Sequence, residues 1–407
     1  MTLAITAVVA RKVQFAGSNR WIAQQQNSHF RRNKVTTHIP SAETLESFKN
    51  DLDQIRDEAM AKVGEEDARY IRNVVRVQRV LDIGGRAVMV AGFYHWIWFV
   101  VGAVMLGIAK ILDNMEIGHN IMHGAYDFMN DPHLNGTSFE WDNVCDGQSW
   151  RRTHNFEHHT YTNIIGKDRD FGYDLLRLSD DTPWKPRFKN QFFWYLGLTT
   201  FFQWGVAYHE LIGERVFFGK KKVERDAVVS KKQLAKDFFA KIRKSVFRDY
   251  LFYPGVVALF LGWPMFFGIL LANMGANLIR NIWASTIIFC GHFTEDVHTF
   301  SEKECENETR GQWYYRQILG SSNLEGSKLL HIMSGHLSRQ VEHHLFPDMP
   351  SYRYNEVAEK VQAVCRKHNI PYNTGSLWSQ YKTVVERVLK YSKPTPEEKA
   401  AFKQVRA

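Results

Sequence analysis

Three tight clusters of histidine place the strongest constraint on how this chain of 407 residues can fold. A single zinc ion needs only three or four imidazoles, so seven clustered histidines predict two metal ions. Imidazole suits several transition metals, but two metals held by neutral nitrogen in a chain with apolar spans favour redox iron and dioxygen. The fold must bring all three clusters together. They read His119-Asn120-Ile121-Met122-His123, His154-Asn155-Phe156-Glu157-His158-His159 and Gln340-Val341-Glu342-His343-His344.

The spacing within the clusters predicts helices. His119 and His123 are four residues apart, so both imidazoles leave one helix face. His154 and His158 repeat this spacing, and His159 points about 100° away, which allows one helix to serve two metals. In the third cluster, a helix would place His336, Gln340, His343 and His344 along one side.

Further candidates lie near the clusters. His292 ends an apolar stretch and is a candidate for an additional ligand. Histidine ligands usually donate their second N–H to a carboxylate or carbonyl, so acidic partners such as Asp168, Asp170 and Asp174 are expected. The histidines predicted to be ordinary polar or interfacial residues are His29, His38, His95, His133, His209 and His368, whereas His298 and His331 stay open as ligands. His336, Gln340 and Asp170 are candidates either for ligands or for partners of ligands.

Two apolar regions predict membrane spans. The stretch 87–109 has no charged residue, and 250–291 carries only Arg280. Each transmembrane helix needs roughly 20 apolar residues. Aromatic rings between Phe93 and Trp98 favour a hairpin that turns at an interface. Gly262, Pro264 and Asn273 punctuate the second region, which we interpret as a second hairpin. The predicted spans are about 74–93, 96–112, 250–270 and 273–292.

Topology then follows from the clusters. If all three share one site, an even number of crossings must separate the second cluster from the third. The apolar segment 192–212 is therefore predicted to be a helix in the interface or partly buried against the core; alternatively, the histidines form separate sites. The sequence predicts an all-α integral membrane protein with a cytosolic helical cap over a di-metal site. The predicted organisation is a polar segment 1–70, a membrane domain 71–393 and a charged tail 394–407.

Composition narrows the possible partners. The net charge is +9, and much of the excess lies in 215–248, between apolar regions. This pattern indicates a cytoplasmic loop near anionic head groups and not a nucleic-acid-binding surface. The four cysteines form no CxxC pair, which argues against a disulfide framework or a thiolate metal site. The first 26 residues lack the pattern of a cleaved secretory signal.

The boxes GHNIMHG, HNFEHHTYTN and QVEHHLFPDMP resemble those of the integral-membrane fatty acid desaturases, over roughly 83–390. The third box begins with Gln340 in place of histidine, as in the branch with front-end and related acyl desaturases. The resemblance implies two iron ions, four transmembrane helices, and insertion of a double bond into a long-chain acyl substrate with O2 and two electrons. The implied ligands are His119, His123, His154, His158, His159, His292, His343 and His344.

The chain departs from front-end relatives because it lacks the His-Pro-Gly-Gly haem motif of a fused cytochrome b5 domain. Electrons are therefore expected from a separate ferredoxin-like or rubredoxin-like carrier with its reductase. The short organisation without a cytochrome b5 domain resembles that of bacterial acyl-CoA desaturases, which implies an acyl-CoA substrate, with carrier protein or lipid as alternatives, and a bacterial inner membrane with the catalytic face cytoplasmic. Arg151, Arg152 and Lys167 are candidates for binding the substrate head group.

Two other functions remain open at this stage. A membrane di-iron hydroxylase shares the first hydrogen abstraction with a desaturase, and ligand residues alone do not decide between them. A metal transporter would also use histidines, but transport predicts polar residues at mid-bilayer. The clusters instead flank the apolar regions, which favours the enzyme.

Overall fold

The computed structural model describes residues 40–218 and 230–399, and it is mostly helical. The basic residues 219–229, the histidines at 29 and 38, and the end of the charged tail lie outside the described residues. The longer helices are Ala42–Met60, Glu65–Val90, Ile97–Ile111, Gln191–Thr200, Phe202–Glu210, Lys231–Val246, Tyr253–Leu261, Trp263–His292, Arg310–Leu319, Tyr354–Lys367 and Leu377–Tyr391. Shorter ones are Asn120–Met122, Gly147–Trp150, His159–Tyr161, Gly213–Phe218, Lys328–Met333 and Gln340–Leu345.

The first apolar region forms a helical hairpin. Glu65–Val90 is followed by a 3-10 turn, Ala91–Phe93, and by the returning helix Ile97–Ile111. The reversal therefore occurs at the aromatic segment where the sequence predicts it. Among the described residues, two continuous helical stretches are long and apolar enough to cross a membrane by length and composition, Ile97–Met122 and Trp263–His292.

The second apolar region breaks earlier than predicted. Tyr253–Leu261 ends at Gly262, whose φ of 89° lies in the left-handed region that favours glycine. Pro264 then stands in the first turn of Trp263–His292, where its fixed φ suits a helix start. The predicted break between 270 and 273 is wrong, because the helix passes through Asn273 without interruption. The Asn273 side chain instead donates to the carbonyl of Asp249 at 2.7 Å.

The segment 192–212 is helical and half-buried, as predicted. It is divided at Phe201 into Gln191–Thr200 and Phe202–Glu210. Tyr195 and Leu198 are buried, whereas Phe193 and Trp194 on the other face are exposed. Its inner face packs against the helix that ends at His292.

A buried network of charges joins the two hairpins. Lys110, at the end of the first hairpin, lies 2.7 Å from Asp142 and 3.0 Å from Asp249. Arg248 pairs with the same two carboxylates at 2.6 and 2.7 Å. Every charge in this network faces an opposite charge, which burial requires. The loop that contains Asp142 is thereby fixed against both hairpins.

The predicted domain boundary at residue 70 falls inside the continuous helix Glu65–Val90. The preceding helix, Ala42–Met60, buries Phe48 and Leu52 against the C-terminal helices. From Glu43 onward, the described residues belong to one compact unit. The apolar positions of Ala42–Met60 need a partner surface, which explains why this helix packs with the rest of the described residues and does not form a separate segment.

Two further details differ from the sequence prediction. A parallel pair of three-residue strands, Asn323–Glu325 and Thr374–Ser376, interrupts the all-α pattern, with Leu324 opposite Gly375. The tail predicted to begin at 394 is not wholly separate, because Glu398 accepts bonds from Arg177 and from the backbone N–H of Trp184.

Candidate metal centre

π-helical segments lead into the first histidine cluster and carry most of the second. Leu112–His119 ends at the first histidine of its cluster, and the α-helical turn Asn120–Met122 continues to His123. Arg151–His158 carries His154 and His158 of the second cluster. A π-helical turn holds more residues than an α-helical turn, and such turns occur frequently at functional sites. The wider turns therefore depart from the angular spacing of side chains that an α-helix predicts for His154 and His158.

Side-chain nitrogens from all three clusters converge in two groups. The first group consists of His119, His123, His154 and His343, and the second of His158, His292 and His344. Within each group the donor atoms lie within 4.8 Å of one another. His119 Nε2 and His154 Nε2 are 3.3 Å apart, and His292 Nε2 and His344 Nε2 are 3.1 Å apart. The second cluster thus serves both groups, but through His154 and His158 and not through His159.

His159 lies between the two groups. Its ring stacks on His344 with centroids 4.4 Å apart and contacts His123 at 4.6 Å and His343 at 4.8 Å. Both of its ring nitrogens are buried and lack a hydrogen-bond partner within the protein. A buried imidazole in this state needs another ligand for its lone pair.

Outward hydrogen bonds orient most of the rings. His158 Nδ1 lies 3.1 Å from both oxygens of Asp168, and His154 Nδ1 lies 3.2 Å from Asp170. His344 Nδ1 lies 3.0 Å from Gln317 Oε1. A ring that donates through Nδ1 keeps its lone pair on Nε2, the nitrogen that points inward. These partners therefore select the tautomer that a metal requires.

Electrostatics keeps most of the cluster neutral. Burial, reinforced by neighbouring imidazoles, lowers the pKa of His159, His343 and His344 well below the ordinary value. Burial also acts on His158, but the carboxylates of Asp168 and Asp170 outweigh it and raise the pKa of His158. Neutral imidazoles are the form that binds metal.

Unpartnered nitrogens test whether this donor set suits metal ions. His123 Nε2 and His343 Nε2 are buried without partners, as are both nitrogens of His159. Buried polar atoms in proteins are normally hydrogen-bonded. Nitrogen lone pairs that converge without a proton between them are satisfied by a cation, whereas ordinary packing of the core would leave them without a partner. The residues present therefore suit two transition-metal ions held mainly by imidazole.

Asp170, Gln340 and His336, which the sequence predicts to be either metal ligands or partners of ligands, have different surroundings. Asp170 accepts hydrogen bonds from His154 and, at 3.1 Å, from His209. Burial alone would raise the pKa of Asp170, but these hydrogen bonds outweigh it and hold the pKa well below its usual range. Gln340 Nε2 lies 2.8 Å from His292 Nε2, and its Oε1 is buried without a partner. His336 instead lies 2.8 Å from Glu116 and belongs to neither histidine group. The predicted helix through His336 is wrong, because its φ of 54° is left-handed and the helix begins at Gln340.

Sequence reasoning missed the importance of His209 and Glu210. Both are buried, and their donor atoms lie within 4.8 Å of Asp170. Burial, reinforced by Asp170, raises the pKa of Glu210 well above the ordinary value. The available signal was a histidine and an acid inside an apolar segment, since such residues need a buried polar partner.

The three basic candidates for head-group binding have partners within the protein. Arg151 donates to the carbonyl of Phe139, and Arg152 donates to the carbonyl of Glu210 at 2.8 Å. Lys167 pairs with Glu302 at 2.8 Å. Head-group binding by these residues stays a prediction.

A cavity of about 70 Å³ borders both histidine groups. Its walls combine imidazoles with rings and aliphatic side chains, among them Trp141, Phe202, Val206 and Ile288. Clefts for small molecules typically measure about 300–1,000 Å³. A long ligand would therefore require side chains around this cavity to move.

The fold and the converging imidazoles define a helical protein with a histidine-built candidate di-metal centre. The fatty acid desaturase family model matches residues 94–376, which include every histidine in both groups. The chain belongs to the fatty acid desaturase family, a membrane-associated and typically metal-dependent family.

Several characterised relatives resemble this chain. An NADPH-dependent stearoyl-CoA 9-desaturase of Mycobacterium tuberculosis is 41% identical over 360 residues, which cover 88% of this chain and 82% of that protein. An sn-1 linoleoyl-lipid 6-desaturase of Synechocystis is 24% identical over 299 residues, covering 67% of this chain and 74% of the relative. Human fatty acid desaturase 3 is 33% identical over 105 residues, covering 26% and 22%.

Proposed function

We propose that this protein is an O2-dependent acyl-CoA desaturase that inserts a cis double bond at carbon 9 of a stearoyl chain. The convergence of unpartnered imidazole nitrogens from three distant sequence boxes carries this proposal. The 41% identity to a stearoyl-CoA 9-desaturase supports the substrate and the position of the bond.

The proposed cofactor is a pair of iron ions. His119, His123, His154 and His343 would hold one ion, and His158, His292 and His344 the other. His159, whose two ring nitrogens have no partner within the protein, would be a further ligand, and Gln340, whose amide oxygen is also unpartnered, would be a ligand or a partner of a ligand. Asp168 and Asp170 would act through the histidines to which they are bonded.

Two iron ions bound here would supply the oxidising power needed to remove hydrogens from unactivated methylenes with O2. The acyl chain loses two hydrogen atoms, while O2 takes up these, two electrons and two protons and leaves as two water molecules. The protein must hold the reacting carbons beside the histidine groups, because a misplacement of about 1 Å can cost 100-fold in rate. The apolar walls of the cavity suit a methylene chain in that position.

Electrons are proposed to come from NADPH through a separate redox protein. The relative from Mycobacterium tuberculosis is named as NADPH-dependent. No haem motif of the cytochrome b5 type occurs in this sequence. A ferredoxin-type carrier with its reductase is the partner class we propose.

The proposed topology has four membrane spans in two hairpins, with the histidine groups on the cytoplasmic side. Large apolar side chains are exposed along the second hairpin, such as Leu259 at 83%, Phe260 at 82% and Trp263 at 71%. Soluble proteins rarely expose such contiguous apolar surface, whereas lipid accommodates it. The basic run in 215–248 agrees with a cytoplasmic loop.

Cysteine labelling in intact inner-membrane vesicles tests this topology. In a background with Cys305 replaced by serine, Tyr94→Cys lies in the first hairpin turn and Lys303→Cys lies in the exposed loop after His292. We expect a membrane-impermeant maleimide to label these two positions from opposite sides of the membrane, with Lys303→Cys on the cytoplasmic side. Labelling of both from one side would contradict the four-span arrangement.

Turnover of labelled stearoyl-CoA tests the chemistry. Purified protein with iron, NADPH, a ferredoxin-type carrier and its reductase is expected to yield the unsaturated product only when O2 is present, and mass spectrometry should locate the cis double bond at carbon 9. A hydroxylated acyl product would indicate the related hydroxylase. Metal flux into proteoliposomes without acyl product would indicate a transporter and would overturn the proposal.

A further inference from the structure

A buried carboxylate outside both histidine groups joins three separate segments. Glu116 is fully buried in the π-helical segment Leu112–His119. Its oxygens accept hydrogen bonds from Tyr70 and Ser351, both at 2.9 Å, and lie 2.8 Å from His336 Nδ1. A buried carboxylate with three partners is well stabilised, but each partner depends on it.

The segment around His336 has a backbone shaped to meet Glu116. Gly335 has a φ of 69°, and a Cβ added there would lie 2.2 Å from the carbonyl oxygen of Met115. His336 is also left-handed, a conformation that is unfavourable for a residue other than glycine and persists only where the surrounding structure holds it. Asn120 adds a third link, because its side chain donates to the carbonyls of Glu116 and Gly335 at 2.9 and 3.3 Å.

The position of these links relates them to one histidine group. Glu116 precedes His119 by about one helical turn, and His336 leads into the helix that carries His343. His119 and His343 belong to the first histidine group, with ring centroids 4.6 Å apart. The second group contains no residue of the first sequence box. The Glu116–His336 contact therefore joins the first box, which only the first group uses, to the segment before the third box, which supplies one histidine to each group.

We propose that Glu116 and His336 are positioning residues that fix the first sequence box against the third and thereby retain the metal ion of the first histidine group. They are not ligands, and they act through the spacing of His119, His123 and His343. This inference rests on the proposed di-iron function. It adds that different contacts hold the two metal ions in place, so that binding of one ion can be weakened while the other ion stays bound.

Glu116→Gln tests this separation. A glutamine amide cannot accept from three donors, so at least one buried partner loses its bond. We expect the purified variant to contain one iron per chain where the wild type contains two. On chelation of reloaded protein, one iron should leave about 10 to 100 times faster, a loss typical of partners that orient metal ligands. Mössbauer spectra should lose the signature of a coupled pair.

His336→Asn provides a second variant if Glu116→Gln folds poorly. Asparagine tolerates the left-handed conformation, but its shorter side chain cannot reach Glu116. The same loss of a single iron is expected.

Asp67→Asn is the matched control. Asp67 is fully buried in the helix that carries Tyr70, and it accepts two bonds from Arg353, at 2.8 and 2.7 Å, close to Ser351. It touches neither histidine group among the described residues. Its variant is expected to lower the thermal midpoint while it keeps two irons and wild-type release rates.

The outcomes separate the possible failures. Two tightly held irons in both Glu116→Gln and His336→Asn would overturn the positioning role. Equal iron loss in Asp67→Asn would show that general destabilisation causes the effect, which also overturns it. Wild-type protein without iron would overturn the proposed function itself.

Discussion

Alanine at His158 or His343 is expected to abolish formation of the unsaturated acyl product. Each substitution removes one imidazole from a different histidine group, since His343 belongs to the first and His158 to the second. Loss of a residue that merely orients a ligand costs about 10 to 100-fold in affinity or activity, so loss of a ligand should exceed about 100-fold. Fatty-acid profiling by mass spectrometry, in a host that lacks its own desaturases, measures the effect.

Membrane insertion of both variants should remain intact, because neither histidine lies in an apolar span. His133→Ala is the control, since His133 is exposed in a loop. It should leave both the product yield and the membrane fraction unchanged. An undiminished yield from His158→Ala or His343→Ala would contradict the assigned ligands.

Hydropathy and aromatic residues predicted the first hairpin because the chain reverses at a charge-free segment rich in rings. They did not locate the break in the second apolar region. Gly262, Pro264 and Asn273 each punctuate that region, and only the backbone shows that Gly262 adopts the left-handed conformation. The strands Asn323–Glu325 and Thr374–Ser376 have three residues each, too few to show a period-two pattern.

Residue spacing pointed to the three clusters as the parts of one candidate site, but the rule that i and i+4 positions share a helix face would have kept His154 and His158 together. It could not predict how they divide between two metal positions, since that division depends on π-helical turns. His336 was placed on a helix although Gly335 directly precedes it, and glycine commonly ends helices. Glu116 carries no motif, and its role follows only from three contacts with distant segments.

Asp168→Asn is expected to weaken metal binding at the second histidine group by about 10 to 100-fold. The two carboxylate oxygens of Asp168 lie 3.1 Å from His158 Nδ1 and accept the backbone N–H groups of Asn163 and Asp170 at 2.7 and 2.9 Å. An asparagine amide replaces one acceptor with a donor, so at least one of these N–H groups faces another donor. Either the His158 ring turns or its tautomer changes, and both outcomes move the Nε2 lone pair away from the metal position.

Asp174→Asn is the matched control for Asp168→Asn. It makes the same chemical change in the same loop at an exposed residue whose φ of 54° asparagine tolerates. Competition with a chelator should show weaker iron binding for Asp168→Asn and wild-type binding for Asp174→Asn. Because Asp168 acts through His158, saturating iron should restore most of the turnover of Asp168→Asn, whereas His158→Ala should remain inactive at any iron concentration. Equal iron affinity in the two aspartate variants would show that the carboxylate does not orient the ligand.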